Sequence, residues 1–336
     1  NMNTLLIGVI IVKMMAPNFF IRKEKIMVDI LDMRRFGKAL EKRIGEELGC
    51  LYNVRLINVI KNNGLRLMGL YIRCANSNVA PIIYINDYYK EYVDGRDIES
   101  IILDILQVYR NSNTRLPVIK DDFRWQSIRK NVILRLVNYD KNKELLQGVP
   151  HKRVYGDLAI TFHVLVGRKG IQSYRINNEL FRSFDIDIDT LFKSALLNNT
   201  TYFPMSIRNI NEVITSMVAS EEMDSDEYAE LFDTTAPEKG RGIIYVLSNN
   251  IGVYGATAML YPDIIKEFAD TMGADLFILP SSLHEVILVL DDGYGCNIDS
   301  LKEMVMDVNM QVLDMDDILS DSVYKYSRAT NKIEKI

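Results

Sequence analysis

The chain has 336 residues, of which 48% are hydrophobic and 25% charged, and its formal net charge is −5. It is long enough for about two domains and apolar enough to bury a core, which excludes global disorder. The slightly acidic balance leaves no broad basic face, so nucleic acid is not an expected partner.

Leu5 to Val12 are apolar, but Lys13 ends the run, well short of the roughly 20 residues that a membrane span needs. No basic residue precedes Leu5, as a secretory leader requires. Residues 1–33 are therefore expected to be an extension, with the globular protein beginning near Met27 or Met33, and no membrane partner is expected. Phe36, Leu40, Ile44 and Leu48 recur every fourth residue, which predicts a helix closed by Gly49. A hairpin follows: Val54, Leu56 and Ile60 line one face of its first strand. Asn63-Gly64 forms the turn, and Leu65 to Ile72 return. Ile82 to Ile85 read as a third strand. Asp97 caps a helix whose stripe is Ile98, Ile101, Ile102, Ile105, Val108 and Tyr109.

Residues 111–122 are polar and read as a connection. Strands are expected from Asn131 to Val137 and from Asp157 to Val166, the latter pairing across Gly167-Arg168-Lys169-Gly170 with Ile171 to Ile176. Helices are expected from Ile188 to Leu197, led by Asp187, and from Asn209 to Val218. Residues 221–233 hold seven acidic side chains and no basic one, the composition of a solvated linker. Beyond it come a strand from Ile243 to Leu247 and a short strand or helix lead-in from Gly255 to Leu260. A helix opened by Pro262 and closed by Gly273 follows, with Phe268 in its apolar stripe. Strands from Leu276 to Leu279 and from Val286 to Leu290 follow. Ser300 and Glu303, at capping-box spacing, then open a helix bearing Leu301, Met304, Val305, Val308 and Val312. Composition thus divides the chain into an extension (1–33), an α-β-β-β-α unit (34–122), a central α+β unit (123–220), an acidic linker (221–240) and a C-terminal α+β unit (241–336). Clustered β-β-α units predict an α+β fold of mixed or antiparallel sheets with flanking helices, not a doubly wound parallel sheet.

Catalytic motifs are sparse. Cys50, Cys74 and Cys296 form no CxxC, and His151, His163 and His284 have no zinc-site spacing. Reduced thiols place the chain in the cytoplasm, with no metal and no cofactor expected. Asp185, Asp187 and Asp189 alternate as in a calcium loop, but Thr190 and Leu196 stand where Gly and Glu are needed, so the acids read as helix caps. Gly252 and Gly255 complete neither a dinucleotide nor a phosphate-loop fingerprint. Trp125 among Arg124, Arg129 and Lys130 reads as a packed aromatic beside solvated cations.

The segment from Leu279 to Glu285 is the candidate functional loop. Pro280 should end a strand, and Ser281, Ser282, His284 and Glu285 then crowd into one connection. A serine beside a histidine is the minimum for nucleophilic catalysis, with a carboxylate to orient the ring. The other reading is a turn whose serines satisfy the backbone while His284 bonds locally. Two functions stay open: a cytoplasmic binding or regulatory protein for a protein or small-molecule ligand, or a hydrolase using Ser281 or Ser282 with His284.

The run from Ile278 to Ile287 resembles the signature stretch of an uncharacterised bacterial domain-of-unknown-function family, DUF 5688. Tyr245 to Asn249, Tyr254-Gly255-Ala256, Asp157-Leu158-Ala159, Ile176 to Glu179 and Leu319 to Tyr324 fit the same family. The similarity runs from about Arg34 to Tyr326. It implies a core with no leader and no membrane span, and it carries no activity, cofactor or catalytic residue.

Overall fold

The computed structural model describes residues 31–75, 80–113, 124–165, 173–219, 244–280, 282–291, 297–311 and 313–336. The expected acidic linker, most of the N-terminal extension and Ser281 lie outside these residues. The chain forms two compact units, one from the described residues up to 113 and one from residue 124 onward.

In the first unit, helix α1 (Met33–Leu48) buries Phe36, Leu40 and Ile44, and Asp32 caps it by accepting the Arg35 N–H at 2.8 Å. Strands β1 (Tyr52–Ile60) and β2 (Arg66–Cys74) pair antiparallel, and β3 (Ile82–Tyr84) adds to β2. The turn has Asn63 at φ 55° and Gly64 at φ 73°, a left-handed pair that Asn-Gly adopts with little strain. Helix α2 (Asn86–Val93) was not legible in sequence, because none of its residues is fully buried. Its Tyr89 and Tyr92 instead lay their rings against Phe36. On α3 (Ile98–Asn113), Ile101, Ile102, Ile105 and Tyr109 are buried as their spacing predicts, but Val108 is exposed and Leu106 is buried in its stead.

The second unit opens with α4 (Trp125–Ile128), β4 (Val132–Asn138), α5 (Lys143–Gln147), β5 (His151–Val154), β6 (Leu158–Leu165) and β7 (Ser173–Arg175). Helices α6 (Asn178–Ser183) and α7 (Ile188–Tyr202), strand β8 (Met205–Asn209) and helix α8 (Ile210–Ala219) follow. Then come β9 (Ile244–Asn249), a 3-10 helix (Gly255–Leu260), α9 (Ile264–Met272), β10 (Asp275–Leu279) and β11 (Val286–Asp291). Helix α10 (Ile298–Gln311) and the hairpin β12 (Tyr324–Ser327) and β13 (Lys332–Lys335) close the chain.

These strands make two antiparallel sheets. In the smaller, β6 is central: β4 flanks one side, and β5 and β7 share the other. The larger has the order β13-β12-β10-β11-β9-β8. Leu134 and Phe162 from the smaller sheet join Ile278, Leu288 and Tyr324 from the larger in one core, with Leu191 of α7 and Ala258 of the 3-10 helix. Residues assigned in sequence to a central and a C-terminal unit therefore share that core, and β8 belongs to the larger sheet. The fold is α+β with antiparallel sheets.

Two details differ from expectation. Helix α10 begins at Ile298, where Asn297 Oδ1 accepts the Asp299 N–H at 2.9 Å, so Ser300 and Glu303 lie inside the helix and do not cap it. Leu301, Val305 and Val308 are buried on it, whereas Met304 is exposed. Phe268 is half-buried, edge-on to Tyr245 at 4.9 Å, where the stripe predicts a core residue. Among the described residues, no helix is long and apolar enough to cross a membrane.

Candidate functional site

The 282–285 connection is clamped from three directions. Leu283 N–H donates to Asp317 O at 2.8 Å, and Ala256 N–H to Leu283 O at 3.2 Å. Ser248 Oγ donates to His284 O at 2.7 Å. Gly255 passes so close that an added Cβ would stand 2.4 Å from His284 O and 2.8 Å from Asn249 N, so no larger residue fits without moving backbone. The segments from Ser248 to Ala256 and from Ser282 to Glu285, distant in sequence, thus meet in one place.

The candidate loop is buried at Ser282 (0% exposed), His284 (8%) and Glu285 (5%). Ser282 Oγ accepts the His284 backbone N–H at 2.9 Å. The His284 ring turns elsewhere. Its Nδ1 accepts the Tyr254 N–H at 3.3 Å, and its Nε2 faces Asp317 Oδ1 at 3.1 Å. The neutral ring protonated on Nε2 satisfies both contacts. Both ring nitrogens are therefore engaged, and no serine–histidine pair is formed by Ser282. His284 and Glu285 lie in the loop just before β11 and not in the strand. The orienting carboxylate is Asp317, 33 positions downstream, which sequence proximity could not reveal.

Burial lowers the His284 pKa, but the Asp317 hydrogen bond and the charges of Asp317 and Glu285 reverse this and raise it above the ordinary value. Burial likewise pushes Glu285 up to about 7, against the opposing pull of His284 and the Ser282 hydroxyl, and its Oε1 has no hydrogen-bond partner.

A second buried polar cluster surrounds Asp157, which precedes β6. It accepts from Ser320 Oγ at 3.0 Å, Ser322 Oγ at 2.9 Å, Lys335 Nζ at 3.2 Å and the Tyr324 hydroxyl. Burial opposes its ionisation, yet the bonds from Tyr324, Ser322 and Lys335 hold its pKa below the ordinary carboxylate value. All its donors point at one carboxylate, so the cluster ties β12 and its lead-in to the smaller sheet.

The third cluster lies on the outer face of the smaller sheet. Partners across a ladder share a face. Arg135 pairs Thr161, His151 pairs Thr161, Arg153 pairs Ala159, His163 pairs Arg175, and Leu165 pairs Ser173. The outer face thus carries three arginines, two histidines, a threonine and a serine, and no strand residue on it is acidic. One end is covered by Leu145, Leu146 and Val149. At the other end Thr161 is 0% and His163 5% exposed, while Arg135, Ser173 and Arg175 are half-buried. The Arg135 guanidinium lies 3.5 Å from the Tyr254 ring centroid, and that ring is 5.7 Å from His284, so this face adjoins the clamped loop. Tyr254 holds a left-handed backbone, φ 54°. Arg135 Nε and Ser173 Oγ are buried without a hydrogen-bond partner.

Burial lowers the Arg135 pKa to about 10, helped by Arg175 and opposed by Tyr254. Burial, with both guanidiniums, drives His163 well below its ordinary value, so its imidazole is neutral, Nε2 meeting Thr161 Oγ1 at 3.2 Å. Sequence reasoning passed over this face, yet a signal exists: Arg135 is the lone charge in an apolar strand, and threonine and histidine alternate with apolar residues along β6.

The other sequence candidates have structural roles. Asp187 caps α7, its Oδ1 accepting the Thr190 N–H at 2.6 Å, and Asp189 pairs with Lys152 at 2.6 Å. Trp125 packs against Phe184 with ring centroids 5.8 Å apart. Among the described residues, no group of three or more His, Cys, Asp or Glu is placed to hold a metal. An open groove of about 590 Å³ lies elsewhere, between Met205, Ile207, Tyr245, Phe268 and Met272, and is rimmed by Glu212 and Glu267.

Fold and site together define an antiparallel α+β protein with a buried polar seam, in which the Ser282 and His284 side chains do not pair. The chain matches a family described as a family of unknown function, DUF5688, over residues 33–328, and it belongs to that family. No curated protein and no solved structure matches it.

Proposed function

We propose that this chain is a cytoplasmic binding or regulatory protein and not a hydrolase. The observation that carries this reading is the use of His284: both ring nitrogens are engaged, by Tyr254 and Asp317, and Ser282 bonds to backbone. A catalytic base needs a free nitrogen within reach of its nucleophile. The described part of the 282–285 loop instead acts as a brace behind Tyr254, and the binding surface is the neighbouring sheet face. Unpaired Cys50 and Cys74 support a reducing compartment. The test is a panel of ester, amide and phosphoester substrates against wild type, Ser282→Ala and His284→Ala. The reading predicts no turnover by any form and a lower melting point for His284→Ala. Turnover by wild type that Ser282→Ala abolishes at an unchanged melting point would overturn it.

A further inference from the structure

We propose that the acid-free outer face of the smaller sheet binds the phosphate group of a small phosphate monoester, gripped between the Arg135 and Arg175 guanidiniums. The inference rests on the reading of the chain as a binding protein and names its ligand class. Arg135 on β4 and Arg175 on β7 flank β6, opposite Thr161 and His163 respectively. Their backbones are about 12 Å apart, two strand spacings across and two residues along β6, a span two arginine side chains close from either side. Between them, Thr161 and His163 form a buried floor.

A partly desolvated guanidinium is unfavourable without a counter-charge, and the neighbouring Arg175 charge adds to that cost at Arg135. The nearest acids do not supply it to Arg135: Asp317 bonds to His284, and no ion pair joins Arg135 to a carboxylate among the described residues. The Arg135 Nε–H and the Ser173 hydroxyl have no partner, so the arrangement is incomplete as it stands. A phosphate monoester dianion carries more charge than a carboxylate and offers more oxygens, enough for two guanidinium forks and a hydroxyl. Arg135 is already held in place by the Tyr254 ring at 3.5 Å, which limits the ordering that binding must impose. Thr161 and His163 are buried and Arg135, Ser173 and Arg175 half-buried, an environment that suits one small anion and not a duplex backbone.

The experiment is calorimetric titration of the full chain with inorganic phosphate, phenyl phosphate and acetate at matched ionic strength, using wild type, Arg135→Met and Arg135→Lys. Wild type is expected to bind both phosphates saturably and acetate at least about tenfold more weakly. Arg135→Met should lose at least about tenfold in phosphate affinity without a lower melting point, since it removes a buried charge. Arg135→Lys, which keeps the charge but loses the fork, should fall between them. No saturable heat with either phosphate, or equal binding by wild type and Arg135→Met, overturns the proposal. Acetate binding equal to phosphate, and lost in Arg135→Met, refutes the phosphate class while leaving the binding reading intact. Turnover of phenyl phosphate refutes the binding reading itself.

Discussion

Glu285 is buried with one oxygen unpartnered, beside His284, and its pKa stands at about 7 against an ordinary value of 4.5. Because the folded value is raised, the folded state favours the protonated acid. The contribution is fully present below pH 4.5 and is lost as pH rises through about 7. The raised His284 pKa has the same sign: its contribution is present at low pH and lost as pH rises through the folded value. Glu285→Gln removes the ionisation and should stabilise the protein by on the order of 3 kcal/mol at pH 8 and by little near pH 4.5. Urea unfolding at the two pH values checks this, and an offset independent of pH would contradict it. At this scale the sequence was partly legible. Asp187 announced its cap because caps are local, whereas the roles of His284 and Asp157 depend on Asp317, Ser320 and Tyr324, which only the fold brings near.

Strand β4 is an edge strand, and α7 covers its edge by an unusual route. Asn199 Oδ1 accepts the Leu134 N–H at 2.8 Å, and its Nδ2 donates to Leu134 O at 3.2 Å, as a neighbouring strand would. Asn198 Nδ2 adds bonds to Arg129 O and Val132 O at 2.8 and 2.7 Å. Asn199→Ala leaves two buried backbone groups unsatisfied and should destabilise by about 2–4 kcal/mol, measured by urea unfolding. A change under about 0.5 kcal/mol would mean that water replaces the amide. Phe268 on α9 sits at a groove wall, so Phe268→Ala should remove only about 1–3 kcal/mol, less than a fully buried phenylalanine. A loss above about 4 kcal/mol would place it in the core. Long helices such as α1 and α3 were legible because many turns repeat one stripe. Strands β5, β8, β12 and β13 were not, since four or five residues give too little periodicity, even where Tyr324 and Tyr326 share the buried face of β12.

At the scale of the whole molecule, the shared core makes the second unit one cooperative body in which a braced loop, a buried carboxylate knot and a cationic sheet face lie side by side. The α+β class followed from clustered strands and helices. The cationic face was written in the alternation of β4, β6 and β7, but recognising it requires the register, because Arg135, His163 and Arg175 are harmless singly and matter only when stacked on one side. This face is expected to be occupied in the cell. Native mass spectrometry of the full chain, purified from its own cells without added anion, tests this most directly. The expected result is a bound small molecule that carries a phosphate group, is released on denaturation, and is missing from Arg135→Met. Wild type and Arg135→Met that both fly at the bare mass, or that carry the same adduct, would contradict it.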